Sequence, residues 1–247
     1  MDTFINSLPS KNNIKATYEL YKPVLEEIMQ NIESKLKSSL NLASAPTYKS
    51  RVKSFDSYYR KVLRLKSEEA KKSNFVTLTD VIGIRVICAF LEDLPEVEKQ
   101  IQQNFDVKEV EYKGADQNFR EFGYESIHVL VAIPDDCYPK EKNLPLPDDI
   151  VCEIQIRTIL QDAWAEVEHE LIYKSEFTPF DMPLRRKLAS INASLTLADI
   201  IFQEIRDYQK KLQGEVEARR ESFYEKADEL TLNEKRKKSE QIEPENI

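Results

Sequence analysis

Three strand-like segments, separated by helical ones, most constrain the fold of this chain. They are Val81–Phe90, Ser126–Pro134 and Ile150–Thr158, and apolar residues dominate most of their length. A helix is predicted between the first two strands, over Leu94–Asn104, and further helices are predicted on both sides of the strands. This order predicts an α+β fold, in which a small mixed β-sheet is flanked by helices and followed by a C-terminal helical extension.

The third of these strands has one polar face. Glu153, Gln155 and Arg157 alternate with a cysteine and two isoleucines, which places the three polar side chains on the same side of the strand. Side by side they would carry a desolvation cost unless a charged group met them. An exposed face of an antiparallel sheet would give the same alternation, so the pattern alone leaves both interpretations open.

Helical patterns flank the strands. The predicted helices cover 14–42, where Pro23 is a break or a start, Ser54–Ser73, Leu160–Lys174 and Leu184–Leu232. A loop rich in proline and aspartate is predicted over Asp135–Asp149, and the charged residues from Asn233 predict a disordered tail. The predicted division is a helical segment 1–44, a central domain 45–180, C-terminal helices 181–232 and a tail 233–247.

The C-terminal helical region contains a coiled-coil-like seam. Its apolar residues recur at alternating short steps and are Leu188, Ile191, Leu195, Ala198, Phe202 and Ile205. Packing of this seam on the sheet and self-association of the chain explain the pattern equally well. Because a helix of this length is hard to bury against one small sheet, we expect a homo-oligomer that forms through the C-terminal helices.

Composition and charge describe a folded protein of a reducing compartment. Of the 247 residues, 41% are hydrophobic and 32% are charged, and no apolar run approaches the length of a membrane span. The first residues lack the basic and apolar regions of a secretory signal, and the three cysteines show no paired spacing. We therefore expect a cytoplasmic location and no membrane partner.

The net charge and the absence of common motifs exclude several classes of site. A formal net charge of −8 argues against a protein that coats nucleic acids in general, since such a protein is usually basic. With two histidines and no Cys/His cluster, the sequence argues against a zinc site. The four glycines form no glycine-rich phosphate-binding motif, so any nucleotide phosphates would be bound by side chains.

Basic residues concentrate in one short window of this acidic chain. They are Arg51, Lys53, Arg60, Lys61 and Arg64. On a helix, Ser57, Lys61 and Arg64 would share one face. Arg51 and Lys53 would then lie at the entrance to that helix. Such a run is usually a solvated helix face. Arginine forks and lysine point charges also bind polyphosphates where no glycine-rich loop exists, so a phosphate site is the second interpretation.

Two carboxylates and an arginine mark the predicted strands. Asp80 directly precedes the first strand, where an aspartate is commonly a turn residue. Arg85 lies inside that apolar strand and needs a partner or a ligand. Asp80 and Glu153 offer hard oxygen donors suited to Mg²⁺. Tyr124 is a candidate for stacking on a base, and His128 would face the same side.

Five blocks of residues stand in an order and spacing typical of one enzyme family. The blocks are Arg51-x-Lys53 with Ser57, Lys61 and Arg64; Asp80-x-x-Gly83-x-Arg85; Gly123-Tyr124-x-Ser126-x-His128; Glu153-x-Gln155-Ile156-Arg157-Thr158; and Trp164-Ala165-Glu166-x-Glu168-His169 with Tyr173-Lys174. Together they resemble the synthetase domain of the RelA/SpoT-type alarmone synthetases. The resemblance covers about residues 45–175 and is to the small, stand-alone members of that family.

The resemblance implies a nucleotidyltransferase-like synthetase domain and a reaction. Pyrophosphate would pass from ATP to the 3′-hydroxyl of GTP or GDP, giving (p)ppGpp and AMP. It further implies that Asp80 and Glu153 bind Mg²⁺ as the cofactor, and that Glu153 takes the proton from the attacking hydroxyl. The residues implied for ATP binding are Arg51, Lys53, Ser57, Lys61, Arg64 and Arg85. Those implied for the acceptor nucleotide are Tyr124, His128, Gln155, Asp162 and Arg120.

Three departures from the family pattern stand out. The basic segment that usually precedes the Gly-Tyr pair keeps only Arg120 as a positive charge. Asp162 stands where small synthetases often carry an asparagine that reads guanine, although a carboxylate can still accept hydrogen bonds from that base. Both histidines belong to the synthetase blocks, so the metal-dependent hydrolase of the long family members has no ligands here.

Two other functions stay open at the level of sequence. One is a toxin-like relative that pyrophosphorylates the 3′ end of tRNA or uses adenine nucleotides as acceptors, and the acidic net charge weighs against tRNA. The other is a nucleotide-binding protein without activity. The complete set of Arg51, Lys53, Asp80 and Glu153 weighs against that interpretation.

Overall fold

The structure, a computed structural model, describes residues 9–65, 71, 73–114, 125–139, 146–147, 149–168, 170–171 and 182–240. The chain divides into two compact units, Met1–Asp199 and Ile200–Ile247. Within the described residues, no helix has both the length and the apolarity that crossing a membrane requires.

The first unit contains a five-stranded sheet and its helices. In chain order the elements are α1 (Lys11–Ser39), β1 (Thr47–Val52), α2 (Phe55–Leu65), β2 (Ile82–Cys88), α3 (Asp93–Asn104), β3 (Val107–Lys113), β4 (Ser126–Ala132), a 3-10 turn (Asp135–Cys137), β5 (Val151–Thr158) and α4 (Ile159–Glu168). The last helix, α5 (Met182–Glu240), begins in the first unit and forms the described part of the second.

The sheet is mixed, which confirms the predicted α+β class. Its strand order is β1-β2-β5-β4-β3. β2 and β5 run parallel, and the other neighbouring pairs are antiparallel. The three strands that the sequence predicts are the three central ones, and α3 follows β2 as expected.

One face of the sheet forms the hydrophobic core with α1 and α3. α1 begins after Ser10, whose hydroxyl accepts a hydrogen bond from the Asn13 N–H at 3.2 Å. The helix packs on β1 and β2 and buries one apolar face, which consists of Ile14, Tyr18, Leu25, Ile28, Ile32 and Leu36. Full burial of side chains of this size contributes about 1.5–3 kcal/mol each, so this helix face contributes strongly to the stability of the sheet.

Pro23 neither breaks nor starts a helix, because α1 runs through it. A proline inside a helix removes one backbone hydrogen bond and crowds the preceding turn. Tyr18 and Leu25, on either side of it, are both fully buried. Packing of both turns in the same core offsets the local loss, so the prediction of a boundary at Pro23 is wrong.

β1 and β3 are absent from the predicted strands. β1 lies where we expected the approach to the basic helix, and its residues alternate between exposed and half-buried. In β3 the register shifts between Val107 and Glu109, so its apolar residues show no regular alternation. Both are edge strands, which have a neighbour on one side only and therefore carry a weaker burial signal.

Helices α2 and α4 differ from their predicted lengths. α2 ends at Leu65, and Ser73, its predicted end, instead accepts a hydrogen bond from the Phe75 N–H at 3.1 Å. α4 begins at Ile159 and ends at Glu168. Residues 169 and 172–174 of its predicted length lie outside the described residues, as do 140–145 and 148 of the predicted loop.

α5 differs from the prediction at its C-terminal end and along its seam. The segment from Asn233, predicted as a disordered tail, is helical as far as Glu240, and residues 241–247 lie outside the described residues. In the seam, Leu188 is buried, whereas Phe202 and Ile205 are 47% and 51% exposed. Packing within the first unit therefore accounts for Leu188. Of the later seam residues, Leu195 and Ala198 are half-buried, and Ile191, Phe202 and Ile205 are exposed in this chain.

Candidate active site

The face of the sheet opposite α1 carries two rows of polar residues. The first row crosses four strands and consists of Lys49, Arg85, Gln155 and His128; the second crosses three strands and consists of Arg51, Gly83 and Glu153. Residues paired across a sheet point to the same side, so the register gathers these side chains on one surface. The polar face of β5 predicted from the sequence is therefore the middle of a larger polar surface.

A cleft lies over these rows. It is lined by Lys49, Ser50, Arg51, Asp80, Gly83, Arg85, Glu153, Gln155 and Glu166. Nothing lies within 4 Å of the position that a Cβ atom would take at Gly83, so the floor of the cleft is open at this point. The lining combines three cations, Lys49, Arg51 and Arg85, with three carboxylates, which suits an anionic ligand that arrives with a metal ion.

Asp80 is held between two lysines at the start of β2. Its Oδ2 lies 2.6 Å from Lys53 Nζ and 3.0 Å from Lys61 Nζ. Burial raises the pKa of Asp80, but the hydrogen bonds and charges of both lysines outweigh it and hold the pKa below the ordinary value of 3.8. Its Oδ1 is buried and has no hydrogen-bond partner among the described residues. The carboxylate is therefore ionised, with one oxygen left for a further cation.

Glu153 of β5 is held at both oxygens. Oε1 lies 3.0 Å from His128 Nδ1, and Oε2 accepts a hydrogen bond from Gln155 Nε2 at 2.7 Å. Burial raises the pKa of Glu153 and so does the charge of Asp80, but His128 and the Gln155 hydrogen bond lower it below the ordinary value of 4.5. The site keeps this half-buried carboxylate charged and oriented.

Asp80 and Glu153 fit a Mg²⁺ ion, which proteins commonly hold with one or two carboxylates and the phosphates of a substrate. Both line the same cleft, and the influence of Asp80 on the pKa of Glu153 shows that their charges interact. Among the described residues, no group of three His, Cys, Asp or Glu side chains could hold a metal. The pair therefore suits an ion that arrives with phosphates.

Asp162 of α4 is 4% exposed and binds three cations. Its Oδ2 lies 2.6 Å from Lys49 Nζ, and its Oδ1 lies 3.2 Å from Arg85 Nη1 and 3.5 Å from Arg157 Nη1. Arg85 also binds Glu166, one turn further along α4. Asp162 thus ties α4 to three strands, and it contacts Arg85, a residue implied for ATP rather than for the acceptor.

Tyr18 of α1 fixes the backbone at Lys53. Its hydroxyl donates a hydrogen bond to the Lys53 carbonyl. The ring centroid lies 5.7 Å from that of Phe55, 4.7 Å from Tyr58 and 6.3 Å from Phe75, in a buried aromatic cluster. Burial raises the pKa of Tyr18 above its ordinary value of 10.0, so the hydroxyl keeps its proton. The N-terminal helix therefore supports the site.

Most of the predicted site residues meet at this cleft. Those that line it, or that contact a lining residue, are Arg51, Lys53, Lys61, Asp80, Arg85, His128, Glu153, Gln155 and Asp162. Ser57 and Arg64 lie on α2 with Lys61, half-buried and exposed respectively. Tyr124 and Arg120 lie outside the described residues. The individual roles of all these residues stay predictions.

Sequence reasoning missed Lys49 and Glu166 as members of the site. A signal for Lys49 was present, because Lys49, Arg51 and Lys53 recur at every second residue, which is the period of a strand. We interpreted that segment as the entrance to a helix instead. Glu166 belongs to a resemblance block, but only the fold shows that α4 brings it to Arg85.

Comparison with known families gives one match over the residues of this site. The sequence profile described as "Region found in RelA / SpoT proteins" matches residues 50–178, just over half of the chain. The match begins within β1 and runs beyond α4, so it includes β2 to β5, the end of β1 and every residue of the cleft except Lys49.

Two curated relatives come from Bacillus subtilis (strain 168). GTP pyrophosphokinase YwaC is 35% identical over 126 residues, which are 51% of this chain and 57% of the relative. GTP pyrophosphokinase YjbM is 30% identical over 151 residues, which are 61% of this chain and 64% of the relative. The chain thus spans less than two thirds of the length of either relative.

A solved structure shows the same fold. Small alarmone synthetase 1 from Bacillus subtilis, bound to its product pppGpp, superimposes with a TM-score of 0.62. The sequences are 23% identical, and the match covers 78% of this chain and 97% of the other. At this identity the comparison shows the architecture of the chain.

Proposed function

This chain belongs to the RelA/SpoT family, and on that premise we propose that it is a GTP or GDP pyrophosphokinase. It transfers the pyrophosphoryl group of ATP to the 3′-hydroxyl of the acceptor, which yields (p)ppGpp and AMP. The observation that carries the proposal is the geometry of Glu153. This charged carboxylate is held at both oxygens in a cleft that also contains the cations of Lys49, Arg51 and Arg85. Transfer of a phosphoryl-type group depends mainly on such alignment and charge.

The donor nucleotide occupies the side of the cleft formed by β1, β2 and α2. Arg51 and Arg85 lie on neighbouring strands and on the same face, where two guanidinium planes can enclose the adenine ring. Lys53 and Lys61 already meet at Asp80, so their ammonium groups converge where the phosphates lie. Ser57 and Arg64 extend this phosphate site along α2.

Asp80 and Glu153 hold Mg²⁺ in this proposal. The ion, when bound, neutralises charge on the transferred phosphates. The support from this chain is the buried, unpartnered Oδ1 of Asp80 and the low pKa of both carboxylates, which keeps them ionised near neutral pH. Lys53 and Lys61 then share their charge between Asp80 and the phosphates.

Glu153 acts as the base toward the acceptor. The 3′-hydroxyl gives its proton to the Glu153 carboxylate as its oxygen bonds to the β-phosphorus of ATP, and the bond from that phosphorus to the α-phosphate oxygen breaks. AMP leaves with the electrons of that bond. His128 and Gln155 orient Glu153 and the hydroxyl. Tyr124 stacks on the acceptor base, and Arg120 binds an acceptor phosphate.

The test is transfer from labelled ATP. The protein is incubated with ATP that carries label in the β- and γ-phosphates, with Mg²⁺ and with GTP, GDP, ATP or tRNA in separate reactions, and the products are separated by chromatography. We expect label on GTP or GDP together with release of AMP. Label on tRNA alone would replace the proposal with the toxin-like activity, and no transfer to any acceptor would favour a binding protein.

The chain also assembles into a homo-oligomer through α5 in this proposal. The support is a set of large apolar side chains that α5 leaves exposed in the single chain: Ile191, Leu197, Phe202, Ile205, Tyr208, Phe223 and Tyr224. A soluble monomer seldom exposes so many large apolar residues along one helix.

A further inference from the structure

Arg157 of β5 is a buried arginine, 4% exposed, whose contacts lead toward Glu153. Its Nε donates to Ser126 Oγ at 3.2 Å, and its Nη2 donates to Gln155 Oε1 at 2.6 Å. Its Nη1 lies 3.5 Å from Asp162 Oδ1. A buried guanidinium is costly unless its N–H groups are bonded, and the shortest of these bonds is the one to the Gln155 amide.

The contact with Arg157 decides which way the Gln155 amide points. A guanidinium has donors and no acceptor, so the amide oxygen must face Arg157. The amide NH₂ group then faces Glu153, and Nε2 lies 2.7 Å from Oε2. The reversed amide would bring its NH₂ group against the N–H groups of Arg157 and its oxygen against the carboxylate, which is unfavourable at both ends.

We propose that Arg157 is a positioning residue, which fixes the Gln155 amide so that this amide donates to Glu153 and holds its carboxylate in the reactive orientation. The inference rests on the proposed function of Glu153. The three side chains lie at alternate positions of one strand, and His128 from β4 holds the other Glu153 oxygen. Glu153 is thereby aligned from two strands.

Asp162 has two cations that lie closer to it than Arg157 does. Asp162 has a closer partner in Lys49, at 2.6 Å, and another in Arg85, at 3.2 Å. The contact with Arg157, at 3.5 Å, is the longest of the three. Loss of Arg157 leaves Asp162 with two cations but leaves the Gln155 oxygen without its donor.

A double-mutant cycle tests whether Arg157 positions Glu153 through Gln155. The variants are Arg157→Met, Gln155→Met and the double variant, with Arg219→Met on an exposed part of α5 as the matched control. Because Arg157 acts through Gln155, we expect each single variant to lower kcat by about 10-fold to 100-fold and the double variant to be no slower than the slower single one. KM for ATP and binding of a non-hydrolysable ATP analogue should change by less than about threefold. If the fold-changes in kcat of the two single variants multiplied in the double variant, the two residues would act independently and the inference would be overturned.

A readout independent of turnover is the side-chain NH₂ signal of Gln155 in a ¹⁵N spectrum, assigned by its loss in Gln155→Met. We expect slow solvent exchange of these protons in the wild type and in Arg157→Lys, which retains a donor, and fast exchange in Arg157→Met. The conservative Arg157→Lys variant should also recover part of kcat, and it keeps the test valid if Arg157→Met fails to fold. Unchanged solvent exchange of the Gln155 NH₂ protons in Arg157→Met would refute the positioning role of Arg157.

Failure of the proposed function and failure of the proposed role of Arg157 give different results. A wild-type protein that transfers label to no acceptor would refute the proposed function whatever the spectra show. A wild-type protein that makes (p)ppGpp, with an additive cycle, would refute only the role of Arg157.

Discussion

The substitution Glu153→Gln separates the charge of this side chain from its shape. In the structure, Oε2 accepts from Gln155 Nε2 at 2.7 Å, so the amide oxygen of the new glutamine must take that place. Its NH₂ group then faces His128 Nδ1, which lay 3.0 Å from the carboxylate and can accept in one of its two neutral tautomers. No polar group is left newly unpaired, so we expect the free energy of unfolding to change by only about 1 kcal/mol.

Turnover should respond very differently. Loss of the proton acceptor and of one negative charge is expected to lower kcat by a factor on the order of 10² or more. That factor corresponds to about 2.7 kcal/mol of activation free energy. The assay is (p)ppGpp formation from labelled ATP under saturating substrates, combined with calorimetric binding of an ATP analogue, which we expect to change little.

Glu111→Gln is the matched control for that assay. Glu111 lies on β3 opposite His128, is 53% exposed and pairs with Lys113, so the same change of charge is made outside the cleft. Turnover of this variant should stay near that of the wild type. Near-normal turnover of Glu153→Gln, with ATP binding intact, would refute the assignment of Glu153 as the base.

Three further predictions test other parts of the structure. Tyr18→Phe removes the hydrogen bond to the Lys53 carbonyl and should lower the free energy of unfolding by about 1–3 kcal/mol in urea titrations; an unchanged midpoint would contradict the contact. All three cysteines are buried, and burial raises the pKa of Cys88 to about 12, so the thiolate is scarce at pH 8 and the native protein should not react with a thiol reagent until it is denatured. The double variant Phe202→Lys, Ile205→Lys should convert an oligomer to a smaller species in light scattering with unchanged helical circular dichroism; a wild type that is monomeric at all concentrations would end the assembly proposal.

The central part of the fold is visible in the sequence because burial there is strong. β2 and β5 lie in the middle of the sheet, and Ile82, Ile84, Ile154 and Ile156 are fully buried, so apolar residues reveal both strands. The edge strands β1 and β3 are half-exposed and leave no comparable pattern. Pro23 misleads for a different reason, since local propensity predicts a boundary that tertiary packing overrides.

The residue types of the site could be predicted more completely than the contacts between their side chains. Residue types and spacing pointed to Asp80 and Glu153 as the paired carboxylates, and both line the cleft. The contacts of Asp162 could not be predicted, because they join α4 to β1, β2 and β5 and depend on the sheet order. The orientation of Gln155 likewise follows from its neighbour along the strand, and spacing alone cannot tell which end of an amide faces which partner.

The carboxylates of the cleft explain how an acidic protein can prepare a site for a polyanion. Lys53 and Lys61 converge on Asp80, and Lys49 and Arg85 converge on Asp162, so the cations are held in place before any nucleotide arrives. A triphosphate must compete with Asp80 for the two lysines, and that competition lowers its affinity. With a divalent cation at Asp80 this competition would weaken, because Lys53 and Lys61 could share their charge between Asp80 and the phosphates. Binding of an ATP analogue should therefore tighten with Mg²⁺ in the wild type and depend much less on Mg²⁺ in Asp80→Asn; equal dependence in both proteins would show that Asp80 plays no part in this exchange.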